Sequence, residues 1–418
     1  MKRLLVLFIA FFIAGCGGSS DPGEIEEVKV VGGELIADYP ANLLKNELVA
    51  QNKISPEDDV FGFRAYKIYY KTTDANGVEV NASGVMVVPT AVGASESVAQ
   101  KLLYMQQVGL GAVVDCHGTI FANKEAPSVK ISQTLEPDGA PIIFTSLAGF
   151  ISLQPDYIGF GESKEHIQEY LIKKSSASSV VDFINAAKEF AKNNNIPWAN
   201  GYEFYLTGYS QGGYVSMAAL KELEKNDTSV LMAAPMAGPY LLDPIAKGVL
   251  SLEEISAPSF MAAVGYFYSK VYNYPVTQII KEPYASKLDT LFSGEYSREE
   301  IDKELTTKVK ELFSDEILYT YELSWFRLKL VENSVVDFAP KTPVKMVHCL
   351  GDDIIPYQIS EASFELFSNV FGASDIELLA LEDILQTSNR YSHTQCAPYA
   401  YSLVAKIFAQ DRKVRLGY

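Results

Sequence analysis

The feature that most constrains the fold of this chain is a serine between two glycines, at the junction of a predicted strand and a predicted helix. An apolar run at 202–206 leads into Gly-Tyr-Ser-Gln-Gly-Gly at 208–213, and residues 214–223 continue with helix-like character. Small residues on both sides of Ser210 let neighbouring backbone pass close to a sharply turned chain. The pattern therefore predicts a strand, a tight turn that carries the serine, and a helix. A glycine-rich connection without any chemistry is the alternative.

Strand-like and helix-like runs alternate along most of the chain. Because strands that alternate with helices pair in parallel βαβ units, this order predicts an α/β fold with a mostly parallel central sheet and helices on both faces. Asp-Ala-Asn-Gly at 74–77 separates the first two runs and is typical of a hairpin, so the N-terminal strands are expected to be antiparallel. The strand-like runs lie at 66–70, 78–89, 112–114, 150–154, 202–206, 230–236, 344–349 and 376–381.

The alternation stops between residues 241 and 333. That segment is rich in Tyr, Phe, Leu, Glu and Lys and is interpreted as several helices, for example at 298–313 and 317–331. We interpret residues 51–240 and 334–418 as one α/β core and 241–333 as a helical insertion into it. An independent helical domain with no contact to a functional site is the alternative.

Residues 1–16 have the layout of a signal peptide. Two basic residues precede an apolar run at 4–14, which is too short to span a bilayer as a mature helix. Ile-Ala-Gly-Cys at 13–16 resembles a bacterial lipobox, which implies a lipidated Cys16 and, over 17–50, a tether and an irregular lead-in. Since glycine rather than aspartate follows the cysteine, the resemblance implies a lipid anchor at the outer membrane of the bacterial cell envelope. A plain secretory signal, with a secreted or periplasmic product, is the alternative.

Charge and composition exclude some functions. With 52 acidic and 35 basic residues the chain has a formal charge of −17, which argues against a nucleic-acid partner. Gly159 and Gly161 form a Gly-x-Gly step, but Lys164 stands where a dinucleotide site needs a third glycine. The sequence has no Cys-x-x-Cys pair and no His/Cys cluster that would indicate a metal. We therefore expect no metal and no other cofactor.

A catalytic role for Ser210 would require a base beside it and a carboxylate that orients the base, because a serine hydroxyl is a weak nucleophile at neutral pH. The chain has four histidines. His117 is interpreted as shaping the loop after an early strand, His348 as buried structure in a late strand, and His166 as a solvated loop residue. His393, after the last predicted strand, is the candidate base.

Five motifs in a fixed order carry a family resemblance. They are His-Gly-Thr at 117–119, Asp-Tyr-Ile-Gly-Phe-Gly at 156–161, Gly-Tyr-Ser-Gln-Gly-Gly at 208–213, Gly-Asp-Asp-Ile-Ile-Pro at 351–356 and the late His393. Their order over residues 60–409 resembles the α/β-hydrolase fold of secreted bacterial lipases and esterases, close in pattern to the secretory-lipase family.

The resemblance implies a serine hydrolase that cleaves a small-molecule or lipid carboxylic ester through an acyl-enzyme, with residues 241–333 as a helical cap over the active site. An aminopeptidase or other amidase on the same machinery is one alternative. A catalytically inactive binding lipoprotein that kept the fold is the other.

The resemblance also assigns the site residues. The chain order of that fold, Ser then Asp then His, makes Ser210 the nucleophile and His393 the base. In the related pattern the acid lies four residues before a proline, which selects Asp352 and leaves the adjacent Asp353 open as an alternative acid. The chain departs from the pattern at Cys349, where hydrolases often have glycine after the histidine.

Acyl transfer passes through an oxyanion that backbone N–H groups must stabilise. The N–H of Gln211, directly after the nucleophile, is one expected donor. The second is expected from the loop after the early strand, where Gly118 lets the backbone come close and Thr119 presents its N–H.

Outside the lipobox the chain has three cysteines, at positions 116, 349 and 396. Cys349 stands three residues before the predicted acid and Cys396 three residues after the predicted base, and these two groups must approach to hydrogen-bonding distance. A Cys349–Cys396 disulfide is therefore one hypothesis, and a pair of buried free thiols is the other.

Overall fold

Nine strands of the described residues form one sheet, with helices between them. The structure is a computed structural model that describes residues 32–134, 136 and 139–418. The strands are β1 (Gly32–Tyr39), β2 (Gly62–Thr73), β3 (Glu79–Thr90), β4 (Ala112–Cys116), β5 (Ile151–Pro155), β6 (Phe204–Tyr209), β7 (Val230–Met236), β8 (Val344–His348) and β9 (Ile376–Ala380). The helices are α1 (Ala41–Ala50), α2 (Glu96–Val108), α3 (Pro127–Lys130), α4 (Lys173–Asn193), α5 (Gln211–Lys225), α6 (Leu242–Leu250), α7 (Pro258–Val271), α8 (Leu288–Leu291), α9 (Arg298–Glu304), α10 (Val309–Leu312), α11 (Asp315–Thr320), α12 (Trp325–Asn333), α13 (Tyr357–Glu365), α14 (Leu381–Ile384) and α15 (His393–Leu416).

The strand order in the sheet is β1-β2-β3-β5-β4-β6-β7-β8-β9. Strands β1, β2, β3 and β5 pair antiparallel in turn, whereas all pairs from β5 through β4 to β9 are parallel. This confirms the predicted sheet, which is mostly parallel with antiparallel N-terminal strands. Because the strands from β4 to β8 run in one direction, the loops at their carboxyl ends meet at one edge of the sheet.

Both faces of the sheet are buried. Successive residues of a strand point to opposite faces, and Tyr205 and Leu206 of β6 accordingly belong to different apolar clusters. Leu206 packs in the cluster that includes Phe183 of α4, whereas Tyr205 packs in the one that includes Phe408 of α15. Helices therefore cover the two faces, as the alternation of runs predicts.

The hairpin predicted at 74–77 joins β2 to β3, with Thr73 opposite Glu79. The Asp74 Oδ1 atom accepts the backbone N–H groups of Asn76 and Val78, at 2.9 and 2.7 Å. Gly77 has a φ of +83°, a left-handed conformation that glycine adopts at little cost. The Asn-Gly step thus forms the tight hairpin turn that the sequence predicts.

The expectation of an irregular lead-in over 17–50 is wrong for residues 32–50. Strand β1 pairs antiparallel with β2, and α1 buries Leu44 and Leu48 completely, which lie four positions apart on one helix face. These pairings depend on contacts with distant parts of the chain, which local composition does not reveal. The predicted lipidation at Cys16 lies outside the described residues and stays a prediction. None of the helices in the described part of the chain has the length and apolarity needed to cross a membrane.

Helices α6 to α12 lie in the chain between β7 and β8 and break the βα alternation where the sequence predicts it. They contact the core directly. The Tyr214 hydroxyl of α5 lies 2.8 Å from the carbonyl oxygen of Asn333, at the end of α12. The Tyr268 hydroxyl of α7 donates to the carbonyl oxygen of Leu171, at 2.8 Å. The helical segment is therefore packed on the α/β core.

Candidate active site

Ser210 lies on the turn between β6 and α5, at the edge where the parallel strands end. Its φ and ψ are +58° and −121°, a conformation that costs free energy for a residue with a Cβ atom. The backbone N–H of Ser210 donates to the carbonyl oxygen of Met236, the last residue of β7, at 2.9 Å. The strand, turn and helix predicted around this serine are thus all present.

The two glycines that flank the serine are required by close backbone contacts. A Cβ atom on Gly208 would lie 2.5 Å from the carbonyl oxygen of Cys116, and one on Gly212 would lie 1.8 Å from the same oxygen. Any side chain at these positions would push the first turn of α5 away from the end of β4. The glycines therefore set the sharpness of the turn that presents Ser210.

Ser210, His393 and Asp352 form a continuous hydrogen-bonded line. The Ser210 Oγ atom lies 2.8 Å from His393 Nε2, and His393 Nδ1 lies 2.6 Å from Asp352 Oδ2. Since an ionised carboxylate only accepts, Nδ1 carries the proton, and Nε2 is left to accept the serine hydroxyl. This is the proton arrangement that a serine nucleophile requires before it reacts.

The two adjacent aspartates have different partners, which separates the alternatives left open by the sequence. The Asp352 side chain is fully buried and contacts His393 Nδ1, and its Oδ1 atom accepts the N–H groups of Ile354 and Ile355. Asp353 instead accepts the backbone N–H of His393 through Oδ1, at 2.9 Å. Asp352 thus orients the imidazole, and Asp353 caps the first turn of α15.

Hydrogen bonds keep Asp352 ionised in spite of its burial. Burial alone would raise the pKa of this carboxyl, but the hydrogen bonds from His348 and His393 outweigh it and hold the pKa well below its usual range. Asp352 is therefore a carboxylate at neutral pH. His348 is buried as predicted, and it also contacts Asp352, which the sequence does not predict. The only sequence signal for it was a histidine four residues before the acid.

The other two histidines, His117 and His166, have the environments that the sequence predicts. His117 is buried, with Nδ1 2.7 Å from the carbonyl oxygen of Gly118 and Nε2 3.1 Å from that of Asp156, and its ring stacks on Tyr157. Burial lowers the pKa of His117 to about 4, against the opposing effect of these two carbonyl oxygens, so its ring is neutral, donates from one nitrogen and shapes the loop. His166 is exposed.

The predicted oxyanion-binding groups lie beside the serine. Gln211 is the first residue of α5, so its N–H has no acceptor within the helix. A Cβ atom on Gly118 would lie 3.3 Å from the Tyr209 carbonyl oxygen and 4.0 Å from Ser210 Cβ, which brings the 118–119 backbone against the turn. Thr119 lines the same cavity as Ser210, and its hydroxyl bonds the Tyr170 hydroxyl at 2.9 Å.

A cavity of about 660 Å³ adjoins Ser210. Ligand sites in proteins have volumes of about 300–1,000 Å³. The lining is mainly aliphatic and comes from α6, the loop after it, α7 and residues 354–359, and among the described lining residues only Glu254 and Asp353 carry charge. No group of three or more His, Cys, Asp or Glu side chains in the described part of the chain is arranged to hold a metal ion. The site therefore combines a serine, a base and an acid with an apolar chamber.

Cys349 and Cys396 form a disulfide, which is the first of the two states left open by the sequence. Cys349 directly follows β8, and Cys396 lies in the first turn of α15. The bond therefore fastens the segment that carries Asp352 to the helix that begins at His393. Cys116 is a free thiol, and burial holds its pKa well above the usual value.

The chain resembles proteins with the α/β-hydrolase fold. The model of the prolyl oligopeptidase family matches residues 140–236, which include the turn at Ser210. A Legionella pneumophila protein of known structure is 23% identical, with a TM-score of 0.76 over 92% of this chain and 98% of its own. LipA of Xanthomonas oryzae, a rice cell wall degrading esterase solved with a ligand, is 21% identical, with a TM-score of 0.73 over 93% and 97%. Candida antarctica lipase A in its closed state is 16% identical, with a TM-score of 0.58 over 82% and 74%.

No curated protein matches the chain in sequence. The structural likeness confirms the predicted fold, because it extends over nearly the whole length of two of these proteins.

We predict that Gly212→Ala destabilises the protein by about 3 kcal/mol or more, since its methyl group would overlap the Cys116 carbonyl oxygen. Urea unfolding followed by circular dichroism measures the change. Gly248→Ala is the matched control, because a Cβ atom there meets nothing within 4 Å and alanine favours the helix. Equal stability of Gly212→Ala and wild type would contradict the proposed close contact.

We predict that the Cys349→Ser/Cys396→Ser double variant loses about 2–4 kcal/mol of unfolding free energy, because the bond closes a loop with a sequence separation of 47. Reductant should destabilise the wild type by a similar amount and leave the double variant unchanged. Cys116→Ala, which removes the free thiol, should respond to reductant like the wild type. A wild-type protein whose stability does not change with reductant would contradict the disulfide. So would an intact mass, measured without reduction, that exceeds the mass of the disulfide form by two hydrogen atoms.

Proposed function

Since the chain has the α/β-hydrolase fold, we propose that it is a serine hydrolase that cleaves carboxylic esters through an acyl-enzyme. The observation that carries the proposal is the hydrogen-bonded line from Ser210 Oγ through His393 to Asp352, beside a large apolar cavity. Two proteins of similar structure are named an esterase and a lipase, which supports ester chemistry.

In the proposed reaction Ser210 Oγ attacks the ester carbonyl while His393 Nε2 takes the hydroxyl proton. Asp352 stabilises the imidazolium that forms. The N–H groups of Gln211 and Thr119 stabilise the oxyanion, an effect worth about 10²–10³ in rate for each donor. His393 then gives the proton to the leaving alkoxide, and an alcohol departs. Water, activated by the same base, attacks the acyl-enzyme and releases the carboxylic acid.

The lining of the cavity favours an ester with an apolar part over a peptide. A peptide brings several amide groups, each of which costs free energy when it is buried without a hydrogen-bond partner. An aliphatic chain has no such groups and gains about 0.8 kcal/mol for each methylene that leaves water. We propose that α6 and α7 act as a cap whose aliphatic side chains bind this part of the substrate.

We predict that Ser210→Ala lowers kcat for nitrophenyl esters by at least about 10⁴-fold, because the variant lacks the hydroxyl that forms the acyl-enzyme in the proposed reaction. A fluorophosphonate should label the wild type at Ser210, detected by peptide mass spectrometry, and leave the variant unlabelled. Ser97→Ala, an exposed serine on α2, is the control and should behave as wild type.

Two results would overturn this function. Absence of labelling and of turnover in the folded wild type would favour an inactive binding protein. Faster cleavage of amino-acid anilides than of esters, lost in Ser210→Ala, would favour the amidase to which the partial prolyl oligopeptidase match points.

We predict that Gly248→Phe shortens the acyl chain that the enzyme accepts. Gly248 lines the cavity, and a Cβ atom there meets nothing within 4 Å, so we expect the ring to occupy room meant for substrate without disturbing the fold. For long-chain nitrophenyl esters kcat/KM should fall by about 30-fold, as for two or three methylenes left in water, while the acetate ester changes little. Gly248→Ala is the matched control. An equal loss for all chain lengths would contradict the placement of the chain in this cavity.

A further inference from the structure

The side chain of His348 makes polar contacts with the segment that carries the acid and with the helix that follows it. It is the last residue of β8, and its side chain is completely buried. Nε2 lies 3.1 Å from Asp352 Oδ2 and 3.0 Å from the carbonyl oxygen of Ile355, and Nδ1 lies 2.7 Å from Ser360 Oγ. An apolar ring at this position would fill the same space but could make none of these contacts.

The partners of His348 determine which nitrogen carries its proton. The two groups near Nε2, a carboxylate and a carbonyl, can only accept hydrogen bonds. Nε2 must therefore donate, and in the neutral form of the ring Nδ1 then has a lone pair. The Ser360 hydroxyl, almost completely buried on α13, must donate to that lone pair. Ser360 thus donates to His348, and His348 donates to Asp352.

Asp352 then has every acceptor position occupied. A carboxylate offers about four lone-pair sites. Oδ1 accepts the N–H groups of Ile354 and Ile355, and Oδ2 accepts His348 Nε2 and His393 Nδ1. Two backbone N–H groups hold Oδ1, and the buried His348 ring holds Oδ2. The carboxylate therefore cannot rotate about the Cβ–Cγ bond. Oδ2 is therefore held towards the base.

We propose that His348 is a positioning residue of the active site, which holds Asp352 ionised and aimed at His393, with its own tautomer fixed by Ser360. The inference rests on the proposed hydrolase function, because His348 acts on the reaction only through Asp352. Asp352 and His393 lie on one side of its ring, and the ring of Tyr357, on α13, is centred 5.6 Å away. Asp353 and the Tyr209 ring, centred 5.0 Å from that of His393, also face the base, and Glu382 binds the loop on either side of the pair through the N–H groups of Leu350 and Tyr391.

The effect of His348 on the reaction has a definite sign. The His348 N–H on Oδ2 draws on the negative charge of Asp352, which otherwise stabilises the protonated form of His393. The same hydrogen bond opposes protonation of Asp352. Without this donor the carboxylate is protonated more readily, and the imidazolium is held more strongly. Each change removes a form that the reaction needs, neutral His393 or ionised Asp352, at a higher pH, so the acidic limb of the pH profile moves to higher pH. The carboxylate is also freer to turn, which lowers kcat rather than substrate binding.

The test compares His348→Phe, which keeps a ring but has no donor, with His348→Gln, whose amide can still donate towards Asp352. We expect His348→Phe to lower kcat about 10- to 100-fold with KM little changed, as for a lost hydrogen bond to a charged group. The acidic limb of kcat/KM should move to higher pH. His348→Gln should recover much of both effects.

Two serines of α13 provide a matched pair. Ser360 contacts His348, whereas Ser363 is equally buried and donates to the carbonyl oxygen of Ile359, at 2.6 Å. We expect Ser360→Ala to lower kcat by a few-fold and to move the acidic limb in the same direction as His348→Phe. Ser363→Ala should change the free energy of unfolding without moving the acidic limb of the pH profile. If His348→Phe does not fold, as judged by circular dichroism, His348→Gln and the serine pair decide the question.

The outcomes separate this inference from the function on which it rests. Wild-type kcat and an unmoved acidic limb in folded His348→Phe, together with an inactive Ser210→Ala, would overturn the positioning role alone. An equal effect of Ser360→Ala and Ser363→Ala on the limb would overturn it as well. Undiminished ester hydrolysis by Ser210→Ala would instead overturn the proposed function.

Discussion

The contact on which the site depends is the approach of the first turn of α5 to the carbonyl oxygen of Cys116. A Cβ atom at Gly212 would stand 1.8 Å from that oxygen, so only glycine permits this approach. The close packing of α5 against the end of β4 forces the chain to turn within one residue, and Ser210 takes the unfavourable positive φ. Because β4 ends at the same contact, the 117–119 loop that follows it passes directly beside the serine. One backbone contact therefore aligns the nucleophile with the expected oxyanion donors.

The acid and the base come from later strands, and the parallel sheet brings them to the same edge. Here the constraint is electrostatic rather than steric. A buried carboxylate is costly unless donors surround it, and the loop after β8 supplies two backbone N–H groups while two histidines supply the rest. The same burial strengthens each of these hydrogen bonds. The chemistry expected of Asp352 and the stability of its loop thus depend on one set of contacts.

The sequence predicts those parts of the molecule that local chemistry determines. The turn at Ser210, the Asn-Gly hairpin and the alternation of strands and helices each depend on neighbouring residues, and each is present. Other features depend on how distant segments meet. Strand β1 has little strand character of its own and exists through pairing with β2. Whether Asp352 or Asp353 faces the base follows from the path of the loop after β8, so the sequence selects Asp352 only through the family's spacing to a proline. The partner of His348 depends on the same path.

His393 is fixed by more contacts than its hydrogen bond to Asp352 alone. Asp352 binds the imidazole of His393, Asp353 binds its backbone N–H, and the Tyr209 hydroxyl donates to its carbonyl oxygen at 2.6 Å. The Cys396 disulfide ties the same helical turn to the end of β8. A ring fixed in this way loses little freedom as the reaction begins, which is how preorganised groups lower a barrier. The cavity is built differently, largely from the helices between β7 and β8. Changes in those helices can therefore alter the substrate while the serine, base and acid keep their geometry.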